Sequence, residues 1–341
     1  MNNLPKIRKF VNLLIQLAIF VLTCLFIYFK VFKKTDLPGF IRLVDDELSS
    51  PGFQNSLWLV LFMMLINWGL EAWKWRYLIG KLEHVSFLRA CLAVLAGISI
   101  SSVIPNRVGE FFGRVFILKT AGRIESILIT LVGSVSQLLI TVFAGSAALL
   151  LFIPQYLPVS FYNHGYIYYC IVAIVITLDV ILLAIYFQIS FLTTLKERLL
   201  KNGFKRFRKF FRVFAFFHNR ELATVLLLSF SRYLVFSTQF SLLLGLFGVA
   251  IPYLHAMMMI ALIYLIMAII PTIALTELGI RGSVALYIFG LYFDRFNISS
   301  GQHDAAIFAA STLLWMINVG IPALLGTVFV FRLQFFRKTV L

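Results

Sequence analysis

Two stretches of this 341-residue chain repeat one polar pattern inside apolar surroundings. The first runs Ile104-Pro105-Asn106-Arg107-Val108-Gly109-Glu110 and reaches Arg114. The second runs Ile270-Pro271-Thr272 and reaches Glu277, Leu278, Gly279 and Arg281. Each has Ile-Pro, then a glutamate, then an arginine one helical turn on. Side chains at i and i+4 share a helix face, so each pair can close an ion pair. Ionisable groups in apolar segments are costly unless paired or hydrated, and they turn toward protein interior or a wet cavity. Backbone groups freed by a proline break need the same polar surroundings. A guanidinium suits bidentate contact with phosphate. Arg107, Arg114 and Arg281 are therefore candidate phosphate ligands, and Glu110 and Glu277 would orient them or respond to protons. The plainer alternative is that each pair only locks its turn.

The elements that must position these residues follow from composition. The chain is 61% hydrophobic and 13% charged, with a mean hydropathy of +0.95. Soluble chains carry about 25% charged residues, so a soluble enzyme, a disordered regulator and a disulfide-stapled module are excluded. Unbroken apolar runs favour helices over a barrel, whose strands would alternate in segments of about ten. Six runs of spanning length occur, at 10–32, 55–79, 126–153, 166–189, 222–247 and 304–330. Lys6, Arg8 and Lys9 precede the first, which is expected to be a retained helix rather than a cleaved signal. Two more apolar regions, 86–120 and 255–293, are interrupted at Pro105 and Pro271. Their short arms, 108–118 and 283–293, would each measure roughly 16 Å, about half a hydrocarbon core. Both regions are expected to be re-entrant hairpins.

With the N-terminus inside, 21 Lys and Arg fall in cytoplasmic segments and 5 outside, Lys74 being counted among the former. That asymmetry sets the orientation, with both termini cytoplasmic. The chain then divides into two halves, 1–160 and 166–341, each of three spans and one hairpin in opposite orientations. The expected fold is an all-α polytopic membrane domain over 1–341, six spans plus two hairpins in an inverted repeat, an architecture shared by many secondary transporters.

Pro105-Asn106-Arg107-Val108-Gly109-Glu110, with Arg114 beyond it, resembles the Pro-Gly-Arg-x-Gly-Glu signature of the transmembrane (flippase) region of lysylphosphatidylglycerol synthases. This region is also known from the multiple peptide resistance factor and its stand-alone relatives. Leu278-Gly279-Ile280-Arg281 resembles the later Leu-Gly-Val-Arg motif of the family. Asn106 stands where the family usually has Gly, and Gly282 where a Glu commonly follows the arginine. The resemblance implies lipid translocation between leaflets of a bacterial inner membrane by a stand-alone member without the soluble transferase domain. It does not imply lysyl transfer.

Other polar positions fall in stripes at helical spacing. They are Asn67, Glu71 and Lys74; Thr130, Ser134, Gln137 and Thr141; and Ser311, Trp315 and Asn318. Each alone fits interhelical hydrogen bonding, and together they suggest a wet groove. Asp179 and Arg232 are lone charges in the fourth and fifth spans, expected to form a structural or coupling pair. The loop 195–221 interleaves Lys205, Arg206, Arg208 and Lys209 with Phe204, Phe207, Phe210 and Phe211. It reads as a surface helix gathering anionic lipid. The net charge of +16 accordingly points to membrane lipid, an anionic phospholipid or a lipid-linked glycan, and not to nucleic acid. The three cysteines and five histidines show no ligand spacing, so no metal and no cofactor is expected. A rival reading is a membrane transferase using Asp45 and Asp46 of the first outer loop on a lipid-linked substrate. No other catalytic constellation stands out, and the expectation is a transporter rather than an enzyme.

Overall fold

The computed structural model describes residues 51–103, 109–156, 165–188, 217–270, 274–296 and 303–330, with single helical positions at 14, 17, 18, 21 and 25. Beyond those single positions, the first expected span lies outside the described residues. So do Arg107, the acidic loop with Asp45 and Asp46, and the basic loop with Lys205, Arg206, Arg208 and Lys209.

The described residues form helices and no strands. They are α1 (Pro51–Ile79), α2 (Phe87–Val103), α3 (Gly109–Val115), α4 (Arg123–Tyr156), α5 (Gly165–Phe187), α6 (Asn219–Leu246), α7 (Tyr253–Ile269), α8 (Ala274–Arg295) and α9 (Asp304–Val330). Five of these, α1, α4, α5, α6 and α9, are long and apolar enough to cross a membrane. They coincide with five of the six expected spans. Local signals set several ends. Pro51 opens α1, where a missing N–H costs nothing, and Pro252 caps α7. The Glu221 carboxylate accepts the His218 N–H at the start of α6, satisfying one of the donors a helix start leaves free. In α9 a π-helical turn, Met316–Gly320, precedes Pro322. Proline cannot donate to the carbonyl four residues back, and the widened turn absorbs that loss.

The two broken regions differ from each other. After Pro105 the chain makes only the seven-residue α3, about 10 Å long. After Pro271 it makes the 22-residue α8, about 33 Å long. The expected short second arm at 283–293 is thus corrected. The helix restarts three residues past the proline, and Glu277 and Arg281 lie in its first two turns. α3 packs closely on α2 because both contribute glycine: a Cβ on Gly113 would overlap the backbone of Gly97. α2 in turn meets α9 where Gly326 abuts Leu95 and Ser99, and Ser99 Oγ donates to the Ala323 carbonyl at 2.6 Å.

Two large apolar cores form, beside a small cluster of Ala96, Ile100 and Val330. One large core gathers Val60, Met64, Phe152, Phe240, Met259, Phe289 and their neighbours. The other gathers Trp75, Leu78, Val94, Ile129, Val132 and Leu222. The same long helices, α1, α4 and α6, feed both cores from opposite ends. Between the cores, near the middle of each long helix, lies the polar seam: Asn67, Glu71, Gln137, Ser229, Arg232 and Asn318. α5 touches chiefly α4 and exposes most of its apolar surface, as a lipid-facing helix should.

Candidate functional site

The seam begins on α1, where Asn67, Glu71 and Lys74 share one face and are all buried. Glu71 is the centre of charge. Its Oε1 accepts from Arg114 Nη1 at 2.7 Å, and its Oε2 lies 2.8 Å from Lys74 Nζ and 3.2 Å from Arg232 Nη1. Arg114 also donates through Nη2 to Glu110 at 3.0 Å. Three cations from α1, α3 and α6 therefore face two carboxylates. Buried charges persist only with such pairing.

Arg232 carries the network into open space. Its Nε donates to Asn67 Oδ1 at 3.0 Å, its Nη1 to Gln137 Oε1 at 3.4 Å, and its guanidinium lies 5.1 Å over the Trp68 ring. Asn67 Nδ2 donates to Asn318 Oδ1 at 2.9 Å in the π-helical turn of α9, and π-turns recur at functional sites. Gln137 Nε2 donates to the Ser229 carbonyl at 3.3 Å, and Lys74 Nζ to Ser229 Oγ at 3.4 Å.

Beside these groups lies a cavity of about 170 Å³. Its polar wall is Asn67, Gln137, Thr141, Asn318, Arg232 and Arg281, and its aromatic wall is Trp68, Tyr233, Phe236 and Tyr264. Arg281 is 6% exposed and gives Nη2 to Glu277 Oε1 at 2.7 Å. Its Nε and Nη1, and the Tyr264 hydroxyl, find no hydrogen-bond partner among the described residues. Buried donors left unmade are expensive, so a cavity that collects them is suited to an anionic or strongly accepting ligand.

The structure sorts the expected residues. Both Glu–Arg pairs form as their spacing predicts, but only Arg281 lines the cavity. The expected Asp179–Arg232 pair does not form: Arg232 turns to Glu71, while Asp179 accepts from Ser146 Oγ at 3.2 Å on the opposite flank of α4. Lys74, counted above as cytoplasmic, lies inside α1 as a buried partner of Glu71, and the charge asymmetry survives its removal. Of the polar stripes, Asn67, Gln137, Thr141 and Asn318 converge on the cavity, while Thr130 accepts from Trp75 Nε1 at 3.1 Å. Tyr264 gave no sequence signal, since it stands in an otherwise apolar run.

Outside the membrane-length segments, one carboxylate fixes a loop. Glu83 accepts the N–H groups of Lys119, Thr120 and Ala121 and the Thr120 hydroxyl at 2.7–3.1 Å. Partial burial pushes its pKa up, but the Ala121, Thr120 and Lys119 N–H groups outweigh it and hold the carboxyl at about 2.

Compared with known proteins, residues 13–326 match the family model described as the lysylphosphatidylglycerol synthase TM region. No curated protein and no solved structure matches the chain.

Proposed function

The chain belongs to the lysylphosphatidylglycerol synthase transmembrane-region family, and from that premise we propose that it is a lipid translocase. It is a multi-pass membrane protein. In our reading it lies in a bacterial inner membrane with both termini cytoplasmic. Six spans and two proline-broken helix pairs, α2–α3 and α7–α8, are arranged in inverted halves. The cargo is a phosphate-bearing lipid whose headgroup enters the cavity while its acyl chains stay in the bilayer.

One observation carries this reading. Two guanidiniums on separate helices, Arg232 on α6 and Arg281 in the opening turns of α8, line a single cavity beside the middles of α1, α4, α6 and α9 in an apolar bundle. Arginine is the residue best suited to phosphate, and ionisable groups inside such a bundle mark a pathway by default. Arg281 supplies unspent donors; Asn67, Gln137 and Asn318 supply neutral hydrogen bonds for the rest of a headgroup. The basic loop 195–221, with Lys205, Arg206, Arg208 and Lys209, would concentrate anionic lipid at the inner leaflet. No covalent step is assigned to the protein.

The test is reconstitution in vesicles carrying a fluorescent anionic phospholipid, with outer-leaflet quenching and lipid mass spectrometry. Wild-type protein should equilibrate the leaflets and return the lipid chemically unchanged. Arg232→Gln and Arg281→Gln should insert normally and not equilibrate it. Recovery of covalently altered lipid would instead establish a membrane transferase and overturn the reading.

A further inference from the structure

Glu71 holds three cations, and they are not equivalent. Arg114 hydrogen-bonds its Oε1 at 2.7 Å and Lys74 sits 2.8 Å from Oε2; both are almost wholly buried, with side chains 3% and 2% exposed. Arg232 is the furthest, at 3.2 Å, and the most exposed, at 20%. It makes no hydrogen bond to Glu71, its bonds going to the neutral Asn67 and Gln137. It is also the one cation of the three that lines the cavity. Arg232 thus stands between a fixed carboxylate and the space where an anion would sit.

We infer that Glu71 is an internal competitor for Arg232, a carboxylate that occupies the guanidinium when the cavity is empty and weakens anion binding enough for release. The inference rests on the reading of the cavity as a phosphate-headgroup site and adds to it the residue that sets its affinity. A carrier needs binding strong enough to admit its cargo and weak enough to let it go. Arg281, with unspent donors and its own carboxylate on the opposite nitrogen, is the constant anchor. Arg232 is the adjustable one. A bound phosphate oxygen takes over the contact that Glu71 gives up, while Lys74 and Arg114 keep Glu71 neutralised. The exchange therefore strands no buried charge. In the Glu71→Gln variant the competitor is gone and Arg232 faces the cavity uncontested.

The experiment is equilibrium binding to the full chain in detergent micelles. The probe is short-chain phosphatidylglycerol, with inorganic phosphate in a parallel arm. Glu71→Gln should bind the lipid at least about tenfold more tightly, since one opposing charge near an ionic partner is worth at least that factor. In vesicles the same variant should move lipid more slowly than wild type. Glu71→Gln with Lys74→Met, which removes a carboxylate and a cation together, should show the same tightening without excess positive charge. Tightening for the lipid but not for inorganic phosphate assigns the competition to a headgroup; tightening for both assigns it to phosphate in any carrier. Unchanged or weaker binding in both variants, with Arg281→Gln still losing binding, overturns the competitor role and leaves the site intact. Arg281→Gln binding like wild type overturns the site itself. Failure of both Glu71 variants to fold would show Glu71 to be a structural counter-ion and would also overturn the inference.

Discussion

The chain contains the same Glu–Arg pair twice, and the two copies have come to different ends. Glu110–Arg114 sits on a seven-residue helix pressed against α2, and Arg114 commits both terminal nitrogens to carboxylates on two helices. Glu277–Arg281 sits in the opening turns of a full-length helix, and Arg281 spends one nitrogen on its partner while facing a cavity. The first pair is a rivet and the second is a hand. A repeated motif therefore does not assign a repeated role. What separates the copies is the third party, since Glu71 reaches the first arginine and no second carboxylate is bonded to Arg281 among the described residues.

The largest expected effect breaks the rivet. Arg114→Ala leaves Glu110 without its cation and strips Glu71 of its closest one. Removing one partner of a buried pair costs about 3–5 kcal/mol. Thermal unfolding in detergent should show a clear drop in midpoint for this variant and a smaller one for Arg281→Gln, which takes a cation from one carboxylate, Glu277, rather than from two and leaves an amide beside it. Equal losses would erase the distinction between the two pairs. Arg281→Gln should instead lose lipid binding by roughly 10–150-fold, the worth of charge-assisted hydrogen bonds of about 1.5–3 kcal/mol, with its fold retained.

Glycines sharpen the same comparison at a smaller scale. A Cβ on Gly113 meets the backbone of Gly97 and the end of Ala96, neither of which can yield easily, whereas a Cβ on Gly279 meets nothing within 4 Å. Overpacking typically costs about 1–3 kcal/mol, and glycine inside a helix costs up to about 1 kcal/mol against alanine. Gly113→Ala should therefore destabilise the protein, and Gly279→Ala should be neutral or slightly stabilising. Paired melting curves check both, and a neutral Gly113→Ala would mean the α2–α3 contact is slack.

Much of this was legible in the sequence. Run length gave five of the six expected spans, because a helix that must satisfy every backbone group internally leaves a long apolar signature. The i, i+4 spacing gave both ion pairs, and the polar stripes on α1, α4 and α9 gave four of the six polar residues that line the cavity, Asn67, Gln137, Thr141 and Asn318. Three things were not readable. Arg232 was assigned to Asp179 because depth along a helix can be read from sequence while azimuth relative to distant helices cannot. Glu71, reaching Arg114 across 43 residues, was visible as a polar position but not as the centre of the cluster. The length of α8 was hidden because Gly279, Gly282 and the charged pair dilute its apolar signal, although the helix bonds through them.

The smallest expected effect concerns pH and again falls on one side only. Glu83 ties the loop that follows α3 by accepting three backbone N–H groups, so it holds the first broken region from outside the bundle. Its carboxyl sits at about 2 rather than the ordinary 4.5. Burial opposes that depression and the N–H groups from Lys119 to Ala121 cause it. A folded-state pKa below the unfolded one means the folded state is favoured by ionised Glu83. That contribution is complete above about 4.5 and is lost as pH falls toward 2. Amide exchange at residues 117–121 should accelerate over that window relative to the intrinsic rate, while exchange at 274–282 in α8 should follow the intrinsic rate alone. Glu83→Gln should show the faster exchange at 117–121 already at neutral pH and lose the acid dependence there. If acid loosened both regions equally, Glu83 would not be the cause, and the two broken helices would be held by more similar means than their charge networks imply.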